Sequence, residues 1–98
     1  GDSLECGGLT YKIIHTPGHS KGGVCIYLEN NIFTGDTLFK ETIGRTDFPG
    51  GSPTDIKKSI TEKLYNLPDE TIVYPGHGDA TTIGYEKRHN PYFRMTAK

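Results

Sequence analysis

The chain has 98 residues, with 11 Lys and Arg against 12 Asp and Glu, 13 Gly, 6 Pro and 2 Cys, which suffices for one small domain with a modest core and is too little for a deeply enclosed site. A net charge of -1 offers no basic stripe to nucleic acid or an anionic membrane. The apolar runs are too short for a transmembrane helix or a signal peptide, and a cytoplasmic protein is expected. Cys6 and Cys25 lack the paired spacing of a disulfide framework or a zinc knuckle and read as reduced thiols.

The start at Gly1, running into Asp2-Ser3-Leu4-Glu5, reads as a piece cut from a longer protein. Leu9 to His15 is apolar or aromatic at Leu9, Tyr11 and Ile13, which predicts a strand burying that face, stopped by Pro17-Gly18. Val24, Ile26 and Leu28 alternate with Cys25, Tyr27 and Glu29; Asn30-Asn31 supplies a turn, and Ile32-Phe33-Thr34 returns as the second arm of a hairpin ending at Gly35. From Thr37 to Gly51 no period survives, and a long irregular loop is expected.

Ser52-Pro53-Thr54-Asp55 then has the form of a helix start, with Ser as the cap, Pro in the first turn and an acid three residues on. Ile56, Ile60, Leu64 and Leu67 form one apolar stripe, and Pro68 ends the helix. Thr71 to Tyr74 reads as a short buried strand stopped by Pro75-Gly76, and a last helix is expected over about Gly84 to His89, ended by Asn90-Pro91. These elements predict an α/β (α+β) class: a mixed or antiparallel sheet with helices on one face.

Three sites share one local pattern, a strand, then Gly, then a side chain able to bind metal: Pro17-Gly18-His19-Ser20, Thr34-Gly35-Asp36-Thr37 and Pro75-Gly76-His77-Gly78. Gly lets the backbone turn sharply off a sheet and approach an ion without a Cβ in the way. Two imidazoles and a carboxylate suit a hydrolytic zinc ion or non-haem iron with coordination positions open. The three are too far apart in sequence for a local finger, so the site is tertiary or absent. Singly, His19 and His77 also read as structural histidines and Asp36 as a turn residue. His15 reads as a core or hydrogen-bonded histidine, and His89 as solvent-facing.

Thr16-Pro17-Gly18-His19-Ser20, Phe33 to Phe39, Ile43-Gly44-Arg45-Thr46-Asp47, Tyr74-Pro75-Gly76-His77-Gly78, and Glu86 with Asn90-Pro91 together resemble the metallo-β-lactamase-fold hydrolases, and within them the hydroxyacylglutathione hydrolase (glyoxalase II)-like thioesterases. The match runs from about Leu9 to Phe93. It implies that His19 binds a first metal, that Asp36 is the carboxylate bridging two metals at the reacting centre, and that His77 binds the second. A carboxylate has two oxygens for two ions, whereas a neutral imidazole offers one nitrogen. The implied cofactor is a pair of zinc ions, with iron or manganese as alternatives. The implied chemistry is attack of an acidified water on a small-molecule thioester. Lys40 and Arg45 are placed to meet carboxylates of a glutathione-like substrate; Lys40 reads equally as a solvated loop charge, and Arg45 with Asp47 as a brace of the loop.

The family's earlier H-x-H-x-D-H motif occurs nowhere in the chain. The family fold is a four-layer αββα sandwich of two similar halves, and residues 1–98 resemble the C-terminal half as one domain. With His19 on one ion, His77 on the other and Asp36 shared, neither ion has the three protein ligands of a catalytic zinc site. Weak or no metal binding, negligible turnover by the isolated chain and self-association through an exposed sheet are therefore expected. Two alternatives stand beside this reading. Gly44-Arg45-Thr46-Asp47-Phe48 also resembles the iron-dependent sulfur dioxygenases of the superfamily, in which His19 and Asp36 would bind one iron and His77 none. A non-catalytic binding or assembly module is the other.

Overall fold

The computed structural model describes residues 2–6, 9–47 and 49–93, and of residues 2–6 and 9 the backbone alone. The elements are β1 (Asp2–Cys6), β2 (Leu9–His15), β3 (Val24–Leu28), β4 (Asn31–Gly35), β5 (Leu38–Phe39), β6 (Thr42–Ile43), α1 (Pro53–Lys58), β7 (Ile72–Pro75), β8 (Thr81–Thr82) and α2 (Ile83–His89). Six strands form one sheet in the order β1-β2-β3-β4-β7-β8, while β5 and β6 pair as a separate hairpin. Pairing in the large sheet is antiparallel except between β4 and β7, which run parallel. The mixed α/β architecture is thus as expected. The readings that rest on the Cys6 thiol, the Leu9 side chain and Phe48 lie outside the described residues.

Both helices cover one face of the sheet. Cys25, Ile32 and Val73 point inward from the strands and meet Ile56, Ile60, Leu64 and Ile83 from the helical segments, with Leu38 from the hairpin. Each such side chain contributes roughly 1.5–3 kcal/mol on burial. Ser52 caps α1 through its Oγ, which accepts from the Asp55 N–H at 3.2 Å. The helix then widens into a π-helical turn over Ser59–Lys63 and tightens into a 3-10 turn over Leu64–Asn66. At this widening the Thr61 hydroxyl donates to the Lys57 carbonyl at 2.7 Å, where a side chain competes with the backbone for a helical acceptor.

Three expectations are corrected. Within β2 the inward residue is Ile14, opposite buried Cys25, whereas Ile13 lies opposite Ile26 on the outer face. The Tyr11-Ile13 row therefore faces outward, since two adjacent isoleucines leave the sign of a period-two pattern undetermined. The β3–β4 turn is formed by Glu29 and Asn30, both at positive φ (46° and 65°), because Leu28 pairs with Asn31 and closes a two-residue loop. The segment after Thr37 is not wholly irregular: β5 and β6 pair through Leu38 with Ile43 and Phe39 with Thr42. In addition β7 is buried on one face only, with Val73 inside and Ile72 and Tyr74 outside. Cys25 is a free, buried thiol, and burial pushes its pKa up, which keeps it unreactive. Among the described residues no helix is long and apolar enough to cross a membrane.

The outer face of the sheet is apolar. Val24, Ile26, Phe33, Ile72 and Tyr74 are 38–47% exposed, and Phe33 stacks on Tyr74 across β4 and β7 at 5.3 Å between ring centroids. Contiguous apolar surface of this kind recruits partners. Light scattering is expected to show mass rising with protein concentration, and Phe33→Lys to reduce that rise; a wild-type monomer at every concentration would contradict the expectation.

Tyr65 joins the helical layers: its single hydroxyl hydrogen is directed to the Phe93 carbonyl at 2.8 Å, with the Glu86 carbonyl oxygen also near at 3.2 Å. Burial, and then the neighbouring Glu86 charge, push the phenol well above its ordinary value. Because the folded pKa is raised, this stabilisation is complete below about pH 10 and is lost as pH rises further. Tyr65→Phe should cost about 1 kcal/mol at neutral pH and flatten the alkaline arm of a pH series of urea melts.

Candidate metal centre

Sheet topology decides where the three Gly-ligand junctions emerge. Two antiparallel steps, β2 to β3 and β3 to β4, make β2 and β4 run the same way, and β7 is parallel to β4. The carboxyl ends of β2, β4 and β7 therefore lie along one sheet edge, the usual place for a site in an open sheet. His19, Asp36 and His77 follow those three ends.

Each exit is fixed by packing. The β2 exit lies on α1: Ser59 Oγ donates to the Pro17 carbonyl at 2.7 Å, and Ser52 N–H to the Gly18 carbonyl at 2.8 Å. A Cβ at Gly18, whose φ is 144°, would fall 2.3 Å from Ile56 Cβ, so only glycine lets the strand end touch the helix. The β4 and β7 exits are joined directly by Gly76 N–H donating to the Gly35 carbonyl at 2.8 Å.

At the centre of the edge, His19 Nε2 stands 3.6 Å from Asp36 Oδ2. The other ring nitrogen, Nδ1, is 3.0 Å from the Arg45 carbonyl oxygen. A carbonyl only accepts, so Nδ1 carries the hydrogen, and in the neutral ring Nε2 is the acceptor nitrogen directed at Asp36. Two acceptors turned toward each other call for a proton or a cation between them. An imidazole with its far N–H on a backbone carbonyl is also the arrangement common to metal-binding histidines.

His77 faces the same cavity of about 210 Å3, walled by Phe39 and residues 42–45 of the hairpin arm. Its ring packs against Phe39 at 4.6 Å, tilted by 31°. The structure therefore brings the three candidate ligands to the lining of one cavity, with His19 and Asp36 adjacent. Among the described residues no three His, Cys, Asp or Glu side chains stand close enough to hold a metal by themselves. By donor type His19, Asp36 and His77 could hold a metal only together with further ligands.

The loop residues fall differently. Arg45 lines the cavity, and its Nε donates to Asp47 Oδ1 at 3.1 Å in an exposed pair. That hydrogen bond holds the Asp47 carboxyl below the usual carboxylate range. Lys40 does not line the cavity, and its ammonium lies 5.8 Å from the Tyr85 ring centroid. His15 Nε2 is hydrogen-bonded to the Lys21 carbonyl at 3.0 Å, and His89 is exposed and packs on Tyr85. Phe39 and Gly44 carried no site expectation. Gly44 lies in a motif of the family resemblance, but its role shows only in its contact: a Cβ there would lie 1.8 Å from the Asp36 carbonyl oxygen and 3.3 Å from His19 Cβ.

Comparison with known proteins identifies the family. The profile of the Metallo-beta-lactamase superfamily matches residues 1–77. Hydroxyacylglutathione hydrolase GloC of Haemophilus influenzae is 46% identical over 94 residues, covering 94% of this chain and 44% of the relative. Among solved structures, ETHE1 from Myxococcus xanthus superposes with a TM-score of 0.89 at 43% identity, over 93% of this chain and 42% of that one. TTHA1623, solved in a di-iron-bound form, gives a TM-score of 0.84 at 40% identity over 95% of this chain and 46% of that one. The chain thus spans less than half the length of these relatives.

Gly44→Ala should displace the hairpin arm from Asp36 and cost about 1–3 kcal/mol, measurable as a lower urea midpoint. Unchanged stability together with unchanged His19 ring resonances would show that the close approach is not needed.

Proposed function

Because the chain belongs to the metallo-beta-lactamase superfamily, we propose that it supplies His19, Asp36 and His77 to the metal centre of a hydrolase, and that the substrate is a thioester of the hydroxyacylglutathione type. The observation that carries this reading is the convergence of the three side chains on one cavity beside the adjacent His19 and Asp36. The identity to the Haemophilus hydroxyacylglutathione hydrolase supports the thioester. Zinc is the proposed metal by donor type, with iron as the alternative supported by the di-iron relative.

When bound, the metal would lower the pKa of a water and polarise the substrate carbonyl. The chain's own residues have narrower tasks. The Arg45 carbonyl fixes the His19 ring so that Nε2 faces the cavity, and Asp36 offers two oxygens at the mouth. Phe39 holds the His77 ring by stacking and supplies an apolar wall that limits water around the reacting carbonyl. Arg45 provides a cation at the rim for a substrate carboxylate. The remaining ligands are proposed to come from a segment carrying the H-x-H-x-D-H pattern, outside residues 1–98.

The Gly44–Asp47 segment, whose first two residues wall the cavity, favours one second reading: an iron-dependent sulfur dioxygenase using His19 and Asp36. Metal analysis and dioxygen uptake distinguish the two.

The test combines the chain with the complementary segment. Turnover of an S-lactoylglutathione-type thioester, with stoichiometric metal, is expected only when both are present. His19→Ala, Asp36→Ala or His77→Ala should each lower kcat/KM by more than the roughly 10–100-fold typical of changes behind a ligand. Sustained turnover by the isolated chain, or full activity without His77, would overturn the proposal.

A further inference from the structure

Glu86 is fully buried, yet it is an acid on the inner side of α2, three residues after buried Ile83. Its carboxylate accepts three hydrogen bonds from neutral donors: the Glu41 N–H at 2.9 Å and Asn90 Nδ2 at 2.8 Å on Oε1, and the Thr81 hydroxyl at 2.7 Å on Oε2. Asn90 Nδ2 also reaches the Thr42 carbonyl at 3.2 Å. Two of these contacts end on the tip of the β5–β6 hairpin, far away in sequence. A buried acid costs several kcal/mol unless its oxygens are satisfied, so this arrangement has a structural consequence large enough to look for.

The hairpin tip itself points to the same conclusion. Glu41 adopts φ of 63° without being Gly or Asn, a conformation that costs about 1 kcal/mol or more and persists only where surroundings impose it. What surrounds it is α2: the backbone N–H meets Glu86, the side chain meets the Tyr85 hydroxyl, and neighbouring Lys40 lies over the Tyr85 ring. The helix is anchored separately to the body of the domain. Lys87 Nζ pairs with Asp69 at 3.0 Å, and Gly84 N–H donates to the Asp69 carbonyl at 2.9 Å.

On both sides of the tip turn, through Phe39 before it and Gly44 and Arg45 after it, the same hairpin supplies the site wall. Phe39 packs against His77, Gly44 touches Asp36, and the Arg45 carbonyl binds His19. We infer that Glu86, seconded by Asn90, is a positioning residue: its buried carboxylate sets the β5–β6 hairpin on α2 and thereby holds Phe39 against His77 and the Gly44–Arg45 arm against His19 and Asp36. The importance of this for catalysis rests on the proposed metal centre, but the mechanical link does not.

The experiment therefore avoids turnover and uses NMR of the full chain. In the wild type the Glu41 amide should exchange with solvent about tenfold or more slowly than an unprotected amide, and nuclear Overhauser contacts should join the Phe39 and His77 rings. Glu86→Ala should abolish the protection and weaken the Phe39–His77 contacts while β2–β4 amides keep their dispersion. Glu86→Gln should restore both, since its carbonyl oxygen can still accept from Glu41 and its amide can donate to the Thr81 hydroxyl. An unprotected Glu41 amide in the wild type overturns the inference even if Glu86→Ala fails to fold. So does a folded Glu86→Ala chain whose ring contacts are unchanged. None of these results depends on thioesterase activity, so failure of the clamp and failure of the functional proposal are separable.

Discussion

The parallel pairing of β4 with β7, locked at its end by Gly76 N–H donating to the Gly35 carbonyl, is the constraint on which the site depends. It makes two strand ends from distant parts of the chain leave the sheet side by side, and the antiparallel β2-β3-β4 meander sends the end of β2 to the same edge. Were β7 antiparallel to β4, His77 would emerge on the opposite edge from Asp36. The connection that makes parallel pairing possible is the helical segment begun by α1, whose buried Ile56, Ile60 and Leu64 cover the inner face of the sheet. Core packing and site assembly are thus one event.

A second layer refines what topology only approximates. Sheet geometry brings His19 and Asp36 within 3.6 Å of each other; a hydrogen bond on the far side of the ring aims the imidazole nitrogen. The Arg45 carbonyl supplies this for His19 and the Phe39 ring restrains His77. Both come from the short hairpin arm, which is itself held by buried polar contacts to α2. In the proposed centre the sheet would choose which side chains meet, and the contacts running from α2 through the hairpin would set how they are aimed.

Much of this was legible in the sequence. The Ser52-Pro53 start and the Ile56-Ile60-Leu64 stripe mark a helical segment, because a cap and an apolar period can be read without knowing the partner, whereas the π and 3-10 turns after Lys58 leave no such mark. The three strand-Gly-ligand junctions were legible because glycine and metal-binding residues are informative types wherever they occur. The outward orientation of Ile13 was not, since Ile13 and Ile14 are interchangeable until a partner strand chooses between them. The β5–β6 hairpin was hidden because two-residue strands carry no period and its turn uses Glu41 at positive φ instead of Gly or Asn. Glu86 was hidden as a role, because an acid on a short helix resembles any solvated charge until three donors from elsewhere close on it.

In the proposed centre His19, Asp36 and His77 bind a common metal. Anomalous diffraction at the zinc or iron absorption edge, from crystals of this chain joined with its complementary segment, tests it most directly. Metal density is expected in the cavity beside Phe39, with His19 Nε2, a carboxylate oxygen of Asp36 and a ring nitrogen of His77 among the ligands. Metal bound elsewhere, or a filled centre with these three side chains turned away, would contradict it.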